Sequence, residues 1–126
     1  MREFLRAGAR RVITMVVPVL LILTSVRLLL TPAFLQVEYR MPGFPEDPYG
    51  FSFGDRLTWS GVSLDYLLND EGIAWLAEKT LSAGVPLYND RELRHMLDVK
   101  MLVQAALRLW LGCAVVVVGL VVLLWG

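Results

Sequence analysis

The sequence has one cysteine, Cys113, one histidine, His95, and no excess charge of either sign, with 12 Lys and Arg against 12 Asp and Glu in 126 residues. A lone cysteine excludes an intrachain disulfide and a multi-cysteine zinc or iron–sulfur site. Balanced charge supplies no long-range field to gather nucleic acid. Walker, G-x-G-x-x-G, C-x-x-C, G-x-S-x-G and H-E-x-x-H motifs are absent, as are internal repeats. No metal and no cofactor is therefore expected, and nucleic acid is not an expected partner.

Charged residues make up only 19 % of the chain, while hydrophobic residues make up 56 % and the mean hydropathy is +0.57. Soluble domains average about 25 % charged residues. The apolar excess lies in two runs. Val12 to Leu35 is interrupted only by Arg27, and Leu109 to Gly126 has no charged residue in 18 positions. About 20 apolar residues of helix cross a hydrocarbon core, so both runs qualify as spans. The first outlasts the 7–15-residue apolar region of a cleavable signal, which predicts a retained anchor. Pro18 is expected to kink it, with Thr14 available to satisfy the freed backbone.

Basic residues set the orientation. Arg2, Arg6, Arg10 and Arg11 precede the first span, whereas residues 36–100 carry six basic and eleven acidic residues. The positive-inside rule puts the amino terminus in the cytoplasm and the middle segment outside. The expectation is an all-α membrane protein, multi-pass in the cell (plasma) membrane. Its two transmembrane helices are joined by an extracytoplasmic cap of short helices and a Pro/Gly-rich extended segment. The expected boundaries are a cytoplasmic terminus at 1–11, a first span at 12–35, a cap at 36–100 that ends in a juxtamembrane helix, and a second span at 101–126. The stop at Leu-Leu-Trp-Gly, without a basic flank, is expected of an incomplete chain.

Within the cap, residues 41–50 hold three prolines and two glycines, which favour turns. Ser52 and Asp55 have capping-box spacing, and apolar residues at helical spacing follow to Leu68. Asn69 to Gly72 interrupts that pattern, and Ile73, Trp75, Leu76 and Ala77 form a short second face, stopped by Gly84 and Pro86. Asn89 and Glu92 form a second box, and no proline or glycine follows until Gly112, which predicts one helix running into the second span.

Chemistry is expected at the start of that helix. Glu92, His95 and Asp98, at i, i+3 and i+6, form one polar stripe, with Arg91 and Arg94 four residues before His95 and Asp98. Imidazole titrates near neutrality and a carboxylate one turn away can orient it, which suits a general base. The same spacing also describes a solvated face with i, i+4 ion pairs, and spacing alone favours that arrangement. Arg27 and Arg108, near the outer ends of the spans, are candidates to hold a lipid headgroup or simply to anchor the helices. Gly112, Cys113, Ala114 and Gly119 offer a small-residue surface for close helix packing, and Trp110 and Trp125 bracket the second span as an aromatic belt.

The segment from Tyr88 to Lys100, with its Glu-x-x-His-Met-x-Asp-Val-Lys string, together with residues 49–56 and the arginine-flanked first span, resembles the bacterial integral membrane proteins that include lipoprotein intramolecular transacylase. The resemblance covers nearly the whole chain and corresponds to the amino-terminal half of such a protein. It implies an acyltransferase that moves an acyl chain from the glycerol of a diacylated lipoprotein to its terminal amine. His95 would transfer the proton, and Glu92 and Asp98 would orient the ring. It also implies a second histidine in the later half, which this sequence does not contain, so the chain alone is expected to be inactive. Bacterial lipoprotein, membrane lipids and further transmembrane helices are the implied partners. The alternative is a non-catalytic accessory subunit of a larger membrane complex, respiratory or photosynthetic.

Overall fold

The computed structural model describes residues 2–125 and is all-helical, in the order α1 (Arg2–Leu29), α2 (Pro32–Tyr39), α3 (Phe53–Leu68), α4 (Ile73–Ala77) and α5 (Asp90–Trp125). It divides into two compact units. One comprises α1 and the part of α5 from Ala105 onward, and the other comprises residues 29–104.

In the first unit, α1 and α5 are both long and apolar enough to cross a membrane, with mean hydropathies of 2.4 and 2.6 over their most apolar windows. None of the residues in those windows is buried by the rest of the chain. The helix α1 runs through Pro18 without a break. The Thr14 hydroxyl does not attend to the backbone freed by that proline, because it donates to the Arg10 carbonyl at 2.9 Å. The indole of Trp110 on α5 donates to the Thr24 hydroxyl on α1 at 3.0 Å, and that hydroxyl donates in turn to the Leu20 carbonyl at 2.7 Å. Trp110 thus fastens one long helix to the other, a role that its place in an aromatic belt does not foretell. Among the described residues nothing packs closely on the small-residue surface, since a methyl group added at Gly112 or Gly119 would meet nothing within 4 Å.

The first apolar run is continuous in sequence but not as a helix. Its expected span to Leu35 stops at Leu29, and Thr31 starts a new helix. The Thr31 side chain accepts from the Phe34 N–H, and Pro32 occupies the first turn, where a missing N–H costs nothing. Thr31-Pro32 is therefore a start signal inside an apolar stretch.

The second unit is held by local signals and a small core. Residues 41–51 form turns in which Asp47 Oδ2 accepts from the Tyr49 and Phe51 N–H groups at 2.8 and 3.0 Å. The capping box at α3 is complete in both directions between Ser52 and Asp55. The Ser52 hydrogen bonds hold the exposed Asp55 carboxyl below its usual 3.8. After α4, a tight turn pairs Thr80 with Pro86. Gly84 stands there at φ +74°, a conformation open to glycine at no steric cost. The short α4 ends at Ala77, well before the expected stop at Gly84. Tyr66 and Leu76 are fully buried and Leu64 nearly so, which gives the second unit a small core. Each such large side chain contributes about 2 kcal/mol on burial.

Candidate functional site

The start of α5 is built as its sequence suggests. Asn89 Oδ1 accepts from the Arg91 and Glu92 N–H groups, both at 3.0 Å, and Glu92 Oε2 accepts from the Asn89 N–H at 2.8 Å. The helix then continues without interruption to Trp125. His95 and Asp98 are exposed on it, as is Glu92. The three share a face, but among the described residues no hydrogen bond joins His95 to either carboxylate. The Glu92 carboxylate is engaged by the helix start instead. Nor do ion pairs form along this face, since neither Arg91 nor Arg94 lies within 4 Å of a carboxylate among the described residues.

Arg27 is half-buried in the last turn of α1, and Arg108 is exposed on α5. Among the described residues no three His, Cys, Asp or Glu side chains converge as metal ligands.

A different residue of the helix is the buried one. Lys100 is only 7 % exposed. Its ammonium donates to Asn69 Oδ1 at 3.0 Å and to the Glu71 carbonyl at 2.6 Å, and it lies 4.1 Å from the centroid of the Tyr66 ring. One turn on, Gln104 Nε2 donates to the Asn69 carbonyl at 3.0 Å. Tyr66 stacks on Trp75 with centroids 6.4 Å apart and planes 10° apart, and Lys79 covers the far partner at 4.0 Å from the Trp75 centroid. Two cations thus attend two stacked rings, and the electron-rich faces offset part of the cost of burying Lys100. The Tyr66 hydroxyl is buried without a partner, and burial raises its pKa above 10.0.

Sequence reasoning overlooked this cluster. The signal was present in the spacing of Leu93, Met96, Lys100 and Gln104, which recur at helical intervals with Leu93 and Met96 half-buried. A lysine on the apolar stripe of a helix calls for acceptors opposite it, and Asn69 and Glu71 supply them. The cluster ties the polar beginning of α5 to the α3–α4 connection, and so fixes the helix that carries His95 within the second unit.

The chain resembles an uncharacterised protein of Aquifex aeolicus. The two are 29 % identical over 89 residues, which is 71 % of this chain and 41 % of that protein, so the chain spans about two fifths of its relative's length. No family profile matches the chain, and no solved structure matches it.

Proposed function

We propose that α1 and α5 cross the cell membrane with the amino terminus in the cytoplasm and residues 36–100 outside. On this reading the chain supplies the His95-bearing part of a membrane acyltransferase of the lipoprotein intramolecular transacylase kind. The observation that carries it is the unbroken course of α5 from Asp90 to Trp125. His95 stands six residues before Met101, where the apolar stretch begins, or about 9 Å of helix at 1.5 Å per residue. Lys100 ties the intervening turn to the α3–α4 connection, and on this reading the imidazole lies near the water boundary.

An exposed imidazole there is open to an incoming substrate. As a neutral base it would take the proton from an amine attacking an ester carbonyl, and the departing glycerol oxygen must then receive a proton. One ring can do both in turn only if it reaches both atoms, and a second proton-transfer group from further spans would relieve that demand. Arg27 and Arg108 would hold lipid headgroups. The test is the mass of lipoprotein amino-terminal peptides in cells that express the full gene product. His95→Ala is expected to abolish the product with the acylated amine, and an unchanged product would remove His95 from the mechanism.

A second reading, a non-catalytic accessory subunit of a respiratory or photosynthetic complex, draws support from the open surface at Gly112 and Gly119, which leaves room for a helix from another chain. It predicts co-purification with one complex at fixed stoichiometry in mild detergent, and recovery as a free monomer would exclude it.

A further inference from the structure

The second unit contains another polar constellation, which does not include His95. A cavity of about 290 Å³ opens between α2, the 41–51 turns, α3 and the segment that leads into α5, and its lining includes Tyr39, Asp47, Arg56, Trp59, Ser63 and Tyr88. Arg56 is fixed in position. Its Nη1 donates to the Pro45 carbonyl at 3.0 Å, and its guanidinium carbon lies 5.6 Å from the Tyr39 ring centroid and 5.3 Å from that of Phe44. Among the described residues, however, no carboxylate lies within 4 Å of it, and its Nε is sealed from water without a hydrogen-bond partner. This half-buried cation therefore has no ion-pair partner among the described residues.

The remaining polar groups offer acceptors. Asp47 Oδ2 is occupied by two backbone N–H groups, while Oδ1 makes no hydrogen bond among the described residues. Ser63 donates its one proton to the Trp59 carbonyl at 2.8 Å, so in its short contact with Tyr88 the phenol must be the donor. The two hydroxyls therefore present lone pairs to the cavity. Its positive charge belongs to Arg56, and its negative charge to Asp47.

A simple anion would meet Asp47 as well as Arg56, and a simple cation would meet Arg56 as well as Asp47. A ligand with both charges satisfies both. We propose that this cavity binds a small zwitterion of phosphoethanolamine chemistry, with the phosphate on Arg56 and the ammonium on Asp47. Guanidinium and phosphate pair through charge-assisted hydrogen bonds, and the aromatic wall at Trp59 suits an ammonium. The unit can arrive free or as the headgroup of a lipid. The proposal uses neither His95 nor the transmembrane orientation, so it stands or falls separately from the acyltransferase reading.

Thermal unfolding of the purified full chain in dodecyl maltoside tests it, with phosphoethanolamine as the probe and inorganic phosphate and ethanolamine as its halves. A saturable rise in Tm is expected with phosphoethanolamine, and a weaker one with either half. Arg56→Gln is expected to raise the apparent Kd by about tenfold or more. Asp47→Asn, which keeps an oxygen acceptor for the turn, should weaken phosphoethanolamine binding while phosphate binding stays level or tightens. If Arg56→Gln fails to fold, Arg56→Lys keeps the charge without the fork and should still bind more weakly than the wild type. Dihexanoyl phosphatidylethanolamine separates the sources. Binding of this lipid without binding of the free compound supports the proposal with a lipid source, and binding of the free compound supports a soluble one. No saturable response to either probe, or undiminished binding in the folded Arg56 variants, overturns the proposal.

Discussion

Lys100 reaches Asn69 across 31 residues of sequence, its ammonium donating to the side-chain oxygen at 3.0 Å. Together with its bond to the Glu71 carbonyl, this places a nearly buried cation at the junction of α5 with the α3–α4 connection. Such a pairing is costly to break from one side, because the groups left behind stay buried and unsatisfied.

Lys100→Met keeps the stem of the side chain but removes the donor from both acceptors. A loss of about 2–3 kcal/mol is expected, measured by reversible unfolding of the purified protein in detergent. Gln104→Ala removes one neutral bond to the same residue and should cost about 1 kcal/mol. Equal effects of the two substitutions would show that the ammonium is not the principal tie.

Tyr66→Phe is expected to be neutral or stabilising, because the deleted hydroxyl is buried with no partner. The pH dependence has a definite sign. Burial raises the folded-state pKa above the ordinary 10.0, so the contribution of neutral Tyr66 is fully present below pH 10.0 and is lost as pH rises through the higher folded value. An ultraviolet titration should show a tyrosine step displaced above the ordinary phenol range. Tyr66→Phe should remove both that late step and its share of the alkaline loss.

Acid acts on the cap through Asp55. Its carboxyl is held below 3.8 by Ser52, so its contribution is present above pH 3.8 and declines as pH falls through the folded value. Ser52→Ala should destabilise α3 and reduce this acid dependence. Circular dichroism across the acid range compares the two proteins, and an unaltered profile in Ser52→Ala would dismiss the capping interaction as its source.

The Trp110–Thr24 bond predicts a specific neighbour relation between the two long helices. In a Cys113→Ala background, the pair Thr24→Cys and Trp110→Cys should cross-link in membranes with a bifunctional thiol reagent long enough to replace the indole. The pair Met15→Cys and Val118→Cys, at exposed positions, serves as the comparison. Cross-linking of both pairs at the same rate would mean that the helices have no fixed relation.

Gly112→Ala and Gly119→Ala should each stabilise the isolated protein by about 0.5–1 kcal/mol, since helix-interior glycine is entropically unfavourable and the added methyl meets no neighbour. If a helix from another chain packs there in the cell, the same substitutions should weaken its co-purification while leaving the fold intact. Stabilisation without loss of any partner would argue against the accessory-subunit reading.

Much of the fold is legible from residues close together in the chain. The Ser52–Asp55 and Asn89–Glu92 boxes link residues three apart, and the absence of proline or glycine between Asn89 and Gly112 is enough to carry α5 into its apolar stretch. The break at Leu30-Thr31 was legible too, through a cap followed by proline, but an unbroken apolar run conceals it because hydropathy averages over the signal. His95 and its neighbours could be placed on one face by periodicity. Whether their side chains bond to one another depends on rotamers, and Glu92 turns to the backbone instead.

By itself the sequence determined the caps of α3 and α5 and the two apolar runs, because helix capping and transfer free energy depend on local composition. Only the tertiary structure decided that Lys100 is buried while His95 is exposed, that Trp110 binds Thr24, and that Arg56 and Asp47 share a cavity without pairing. Those relations join residues far apart along the chain, and no local propensity specifies which distant acceptor a buried donor will meet.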